Sequence, residues 1–272
     1  LLVASAVLLA AIRCGTAYAH GAGVPFALWG NTFTPPDTQC QRVIGRAASV
    51  CAVHMWAARD ACWQAQLAGE TCDPHSSDAT LQTARVQALN TVDLFCSDRL
   101  VGDLGFLGLF EVQGDLGNFW SSFDDAMLSA VYGPLDGGGL RLADSKTQRC
   151  VGSAARAARK LVRFAFAAQV GALDRIARGG FTPQAKEGLV QRAATRVARA
   201  RQVLADQMAL HCSDAEFASV YERSIATFLE GIAQRADCLA GAAYVQSRVV
   251  CPAPVCGNGV KEPGEMCADG KY

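Results

Sequence analysis

Cys40, Cys51 and Cys62 stand at equal intervals of eleven residues. Eleven residues make about three turns of an α-helix at ~3.6 residues per turn, so the three cysteines share one stripe of one helix. Successive Cα atoms along it lie ~16 Å apart, from a rise of ~1.5 Å per residue. A disulfide needs Cα atoms within about 7 Å, so none of the three can pair with another. Each must reach a partner elsewhere in the chain. A sequence built this way is held to a bundle in which other elements run along that stripe.

The hydrophobic pattern is helical almost throughout, and alternating strand-like runs are nearly absent. Thr34-Pro35-Pro36-Asp37 reads as a helix start, with a capping threonine, a proline at the first position and an acid at the positive end. That helix is expected to reach Leu67, with Gly69 as its stop. Ser77-Asp78 opens a second, with Leu81, Ala84, Ala88, Val92 and Phe95 on one stripe. The glycines between Leu100 and Gly117 predict only short helical pieces there, before a helix over Trp120–Val131. Asp144 or Ser145 starts a long helix ending at Gly179-Gly180, and Thr182-Pro183 starts another to about Leu210. Ser213 to Glu216 forms a capping box for a last helix, expected to run unbroken to Gly241. The fold class is all-α: a disulfide-stapled bundle of about five or six helices with a short irregular cysteine-rich tail.

A weak internal repeat underlies this pattern. Gln39-Cys40 and Arg149-Cys150 each lie early in a long helix, and the partner helices end in Cys96-Ser97-Asp98 and Cys212-Ser213-Asp214. The separations, 56 and 62 residues, are similar, which points to a duplicated, cysteine-bracketed helical hairpin. In an antiparallel hairpin the start of one helix meets the end of the next, so Cys40 is expected to pair with Cys96 and Cys150 with Cys212. Cys62 lies beside the turn and reaches Cys72. Cys51 and Cys238 are left to staple the last helix to the first. Eight cysteines allow roughly a hundred connectivities, and the geometry selects this one.

Composition bears on the compartment. Hydrophobic residues make up 51% and charged residues 18%, which excludes a disordered or low-complexity chain. Residues 1–19 combine an apolar run too short to span a bilayer with Ala17-Tyr18-Ala19, small residues suited to a signal peptidase. They are read as a signal peptide cut before His20. Ile12-Arg13 in front of Cys14 does not suit lipidation. Export to the cell surface, the periplasm or the medium follows, where disulfides persist. Residues 20–33 form an extended lead-in, 34–245 the helical domain and 246–255 a proline-rich linker.

Residues 256–272 carry Cys256-Gly-Asn-Gly, Glu262-Pro-Gly-Glu265, Cys267-Ala-Asp269-Gly270. This resembles the Myxococcus-type cysteine-rich repeat, a small disulfide module of secreted and surface proteins, with Ala268 and Lys271 departing from its pattern. The resemblance implies a module that is either cut before its second cysteine pair or degenerate, and it assigns no catalytic role. The helical region is more loosely similar to the cysteine-bracketed domains of such exported proteins. Asn258, Glu262, Glu265 and Asp269 offer oxygen ligands of the kind calcium takes. A solvated acidic loop is the simpler expectation for them.

Two further metal readings arise. A free N-terminal His20 could chelate copper through its amine and ring, with His54, His75 or His211 as second ligand. Cys51 and His54 have zinc spacing, but no second pair follows and an exported chain rarely keeps thiols reduced. No cofactor is expected beyond these alternatives. Nucleophile-elbow, zinc-protease and phosphate-loop motifs are missing, so no residue is read as catalytic and the chain is not read as an enzyme.

Charge is segregated although the total is zero: Arg141–Arg201 holds 14 basic and 3 acidic residues. Arg156, Arg159, Lys160 and Arg163, then Arg192, Arg196 and Arg199, recur at helical steps. The expectation is that these basic faces pack beside the acidic stretch Asp93–Asp136. An anionic surface polymer is the alternative partner, and nucleic acid is not expected, because no aromatics interleave with the arginines.

Overall fold

The computed structural model describes residues 33–73, 75, 77–133 and 144–244, apart from the side chains of residues 51, 52, 115, 118–122, 124 and 125. The signal peptide, the lead-in up to residue 32, the linker and the cysteine-rich tail lie outside the described residues. The described part is helical, without strands. In chain order the helices are α1 (Pro35–Ser49), a π-helical turn (Val50–Met55), α2 (Trp56–Leu67), α3 (Asp78–Phe95), α4 (Asp98–Asp103), α5 (Leu109–Tyr132), α6 (Ser145–Ala177), α7 (Pro183–Ala209), α8 (Asp214–Tyr221) and α9 (Ile225–Ala243).

The starts are those the capping residues dictate. Thr34 and Asp37 close a capping box on α1, as Ser213 and Glu216 do on α8. Asp144 accepts hydrogen bonds from the Lys146 and Thr147 amides ahead of α6. The first long helix does run to Leu67, and Gly69 beyond it takes a left-handed φ of 84°. Three expectations fail. A π turn interrupts that first helix where no proline or glycine stands, and Met55 at its end and Trp56 and Asp60 beyond it are buried. α5 continues through Gly114 and Gly117 as one helix of 24 residues. Gly117 serves a close approach instead of a break: a Cβ there would lie 2.5 Å from the Arg85 guanidinium of α3. The last predicted helix is split by Glu222, whose positive φ of 54° ends α8 before Ser224 caps α9.

The structure extends the repeat beyond a hairpin. The run Pro35–Leu67 matches α6 in length, and Cys40 and Cys150 occupy the same position in each. Gly69 and Gly179, at equivalent places after them, both have positive φ. Ser97 and Ser213 cap short helices directly after the second cysteine of each set. Asp98 Oδ1 then accepts from the amide of Leu109, eleven residues on, and Asp214 Oδ1 from that of Ile225, also eleven on, both at 2.8 Å. These bonds tie the short helix to the start of the next. Two copies of one four-part unit result: the α1–α2 run, α3, α4 and α5, then α6, α7, α8 and α9.

The copies share one apolar core. α6 and α9 lie deepest in it, with α6 burying the alanine-rich row from Ala154 to Ala177. Phe217, Tyr221 and Phe228 form an aromatic cluster with centroids 4.3–5.3 Å apart. The copies also exchange polar contacts. Gln41 of α1 donates to the carbonyl of Ala243, and Tyr221 of α8 donates to that of Val131. A Cβ at Gly45 would lie 2.7 Å from the Tyr244 hydroxyl, so glycine lets the end of α9 dock on α1.

Candidate functional site

Three disulfides join the pairs the antiparallel geometry selects: Cys40–Cys96, Cys62–Cys72 and Cys150–Cys212, with Cα separations of 5.1, 5.5 and 5.0 Å. Cys238, buried in α9, is also disulfide-bonded. The side chain of Cys51, its expected partner, lies outside the described residues. The metal-ligand candidates His20, Asn258, Glu262, Glu265 and Asp269 lie outside them as well. His54, His75 and His211 are all exposed on separate segments, with His75 Nδ1 held 2.9 Å from Asp78.

Among the described residues, one group has the geometry to hold an ion: Cys150, Cys212 and Glu216, with ligand atoms within 4.8 Å of one another. The donor set does not serve a metal. Both sulfurs are spent in the disulfide, so no thiolate is available. The carboxylate is taken by Lys146, whose hydrogen bond and charge, with the Ser213 amide, lower the Glu216 pKa to about 2.

A polar centre that sequence reasoning missed lies between α2, α5 and α6. Asp60 is fully buried. It accepts from the Tyr132 hydroxyl at 2.7 Å, and Gln64 donates to that same hydroxyl at 3.0 Å. Arg159 Nη1 faces the other carboxylate oxygen at 3.4 Å. Trp63 stacks on the Tyr132 ring with centroids 5.2 Å apart. Burial raises the Asp60 carboxyl above the usual carboxylate range, opposed by the Tyr132 hydrogen bond and then by Arg159. Tyr132 is raised above ordinary phenols by the same burial and by the carboxylate beside it. Asp60 and Tyr132 are both buried, so the arrangement clamps helices to one another. The second copy has a similar bond, four residues off the equivalent positions in each helix: Tyr244, after α9, donates to Asp174 of α6. A signal existed in the sequence, an Asp late in each long helix and a Tyr at the end of each fourth helix. A helical wheel alone could not join them across the bundle.

Asp237 of α9 is a further half-buried carboxyl, pushed up to about 6 by burial, against the pull of Gln169 and Arg201.

The basic residues fall into two groups. Arg159 reaches Asp60 and Arg201 pairs with Glu230. Arg156, Lys160 and Arg163 on α6, and Arg192, Arg196 and Arg199 on α7, are exposed. Among the described residues none of these six makes an ion pair. No ion pair joins them to Asp93, Asp98, Asp103 or Glu111, the acids of the stretch Asp93–Asp136 whose side chains are described. α7 sits at the rim, packed chiefly on α6 and then α9.

Comparison with protein-family models, with curated proteins and with solved structures finds no match for the chain. No helix among the described residues is long and apolar enough to cross a membrane.

Proposed function

We propose that the chain is an exported structural or interaction protein, acting at the cell surface or in the periplasm. The observation that carries this reading is covalent closure. Each copy is bridged between its first long helix and its second, at equivalent positions, and Cys62–Cys72 adds a third bridge. Such bridges persist in oxidising compartments and are rare where thiols are kept reduced. The buried polar centre supports a scaffold in place of a catalyst, since its carboxyl and phenol groups are shut away from solvent.

The test is peptide mapping without reduction, on protein isolated from its own cells after alkylation of free thiols. Linked peptides joining Cys40 to Cys96, Cys62 to Cys72 and Cys150 to Cys212, in material recovered outside the cytoplasm, are the expected result. Alkylated cysteines at these positions, or recovery from the cytoplasm, overturn the proposal.

A further inference from the structure

We infer that the outer face of the α6–α7 hairpin binds a linear acidic polysaccharide along a continuous row of six cations. The inference deepens the interaction reading, and depends on it for the choice of polymer.

Antiparallel packing sets the row. Because Cys150 lies opposite Cys212, Arg163 of α6 lies level with Arg199 of α7. Arg156, Lys160 and Arg163 climb α6, and Arg199, Arg196 and Arg192 carry the row onward along α7. Fourteen residues of rise at ~1.5 Å each give a band of about 21 Å. Both halves face the same way. Gln169 of α6 bonds to Asp237 of α9, and Arg201 of α7 pairs with Glu230 of α9. At ~3.6 residues per turn, the six cations lie a third to half a turn away from Gln169 and Arg201. They therefore crowd the side of the hairpin opposite α9. Asp206 is the acid nearest the Arg156 end, and its Oδ1 already accepts from Gln202.

The fold does not require these charges. At the equivalent places of the first copy stand Val50 and Val53 for Lys160 and Arg163, and Thr80 and Thr83 for Arg196 and Arg199; only Arg46 matches Arg156. The first copy, 34–132, holds 5 basic and 12 acidic residues, and the second, 144–243, holds 15 and 9. Placing six cations on one face, with Asp206 at one end and no ion pair to any of the six among the described residues, costs self-repulsion, and a bound polyanion removes that cost. A flat membrane suits the face less well, because three of the four most exposed large apolar side chains, Leu94, Leu107 and Phe110, stand at the α3–α5 end beside Asp93, Asp98 and Asp103, and the fourth, Leu210, lies at the end of α7 beyond the row. A nucleic acid would meet the negative first copy and only Phe164, 43% exposed, as a stacking ring beside the α6 row.

The experiment titrates the purified, oxidised chain with a polyuronate, a neutral glucan, anionic vesicles of phosphatidylglycerol and phosphatidylcholine, and a single-stranded oligonucleotide. Saturable binding to the polyuronate that weakens with salt is expected, and no binding to the glucan. K160Q/R163Q and R196Q/R199Q should each lower affinity by about tenfold or more, the size of losing charge-assisted contacts. The control R46Q/R99Q, which removes two cations off the row, should leave affinity within about twofold. Circular dichroism of every variant checks folding. Equal binding by row and control variants, tighter binding to the vesicles or the oligonucleotide, or no polyuronate binding at all overturns the inference. None of these outcomes touches the disulfide mapping, so the two proposals fail separately.

Discussion

The two copies spend the same architecture differently. In the second, the long helix α6 runs unbroken for 33 residues, buries small side chains tightly and leaves one charged face outward. In the first, the matching run breaks at a π turn and brings a carboxylate inward to meet Tyr132, Gln64 and Arg159. Yet the ties between helices recur: a disulfide, a serine cap, an aspartate reaching eleven residues on, and a tyrosine bonded to an aspartate. Ties between helix ends thus define the unit, while face charge and helix regularity are free to diverge.

The largest effects test whether the copies depend equally on their disulfides. Replacing Cys40 and Cys96 by alanine, or Cys150 and Cys212, releases loops of 56 and 62 residues. Loop-closure entropy predicts a loss of about 4 kcal/mol for each pair, a large share of a typical stability of about 5–15 kcal/mol. Urea titration of both double variants should give matching losses. A large inequality would mean that one copy folds on the template of the other.

Next come the tyrosine and aspartate pairs. Tyr132→Phe strands a fully buried carboxylate and should cost about 1–3 kcal/mol. Tyr244→Phe should cost less, because Asp174 is only partly buried and can turn to water. The pH response separates them further. The folded pKa of Asp60 is raised, so its protonated form favours the native state. Its contribution is full below the unfolded value and is lost as pH rises through the folded value. Asp60→Asn should remove that loss from the melting profile. A profile unchanged by this substitution would take Asp60 out of the pH response.

The smallest expected effects are those of Asp98→Ala and Asp214→Ala, each removing one acceptor from the first amide of the following helix. About 1 kcal/mol is expected at each, as for a lost helix cap. Thermal melts should show a slightly larger shift for Asp214, whose bond is partly buried where that of Asp98 is exposed. The reverse order would break the equivalence of the two ties.

Local chemistry was legible in the residues. Thr34, Asp144, Thr182 and Ser213 mark helix starts because their side-chain oxygens satisfy amides that no helix can satisfy for itself. The spacing of Cys40, Cys51 and Cys62 forbids pairing among themselves, and antiparallel geometry then selects Cys96 and Cys212 as far-end partners. The calcium and export readings, and His20 of the copper reading, rest on residues at the two ends of the chain, outside what the structure describes. What the sequence could not supply was anything decided between helices. The π turn has no breaker residue, α5 keeps its glycines because Arg85 fills the space beside one of them, and Glu222 bends the last helix at a residue that favours no turn. Asp60 reads as an ordinary surface acid until Tyr132, 72 residues away, is packed against it. The exposure of the basic row depends likewise on α7 lying at the rim. Caps and spacing act within a few residues and are written locally, whereas burial and pairing depend on which distant surfaces meet, and only packing the whole chain decides that.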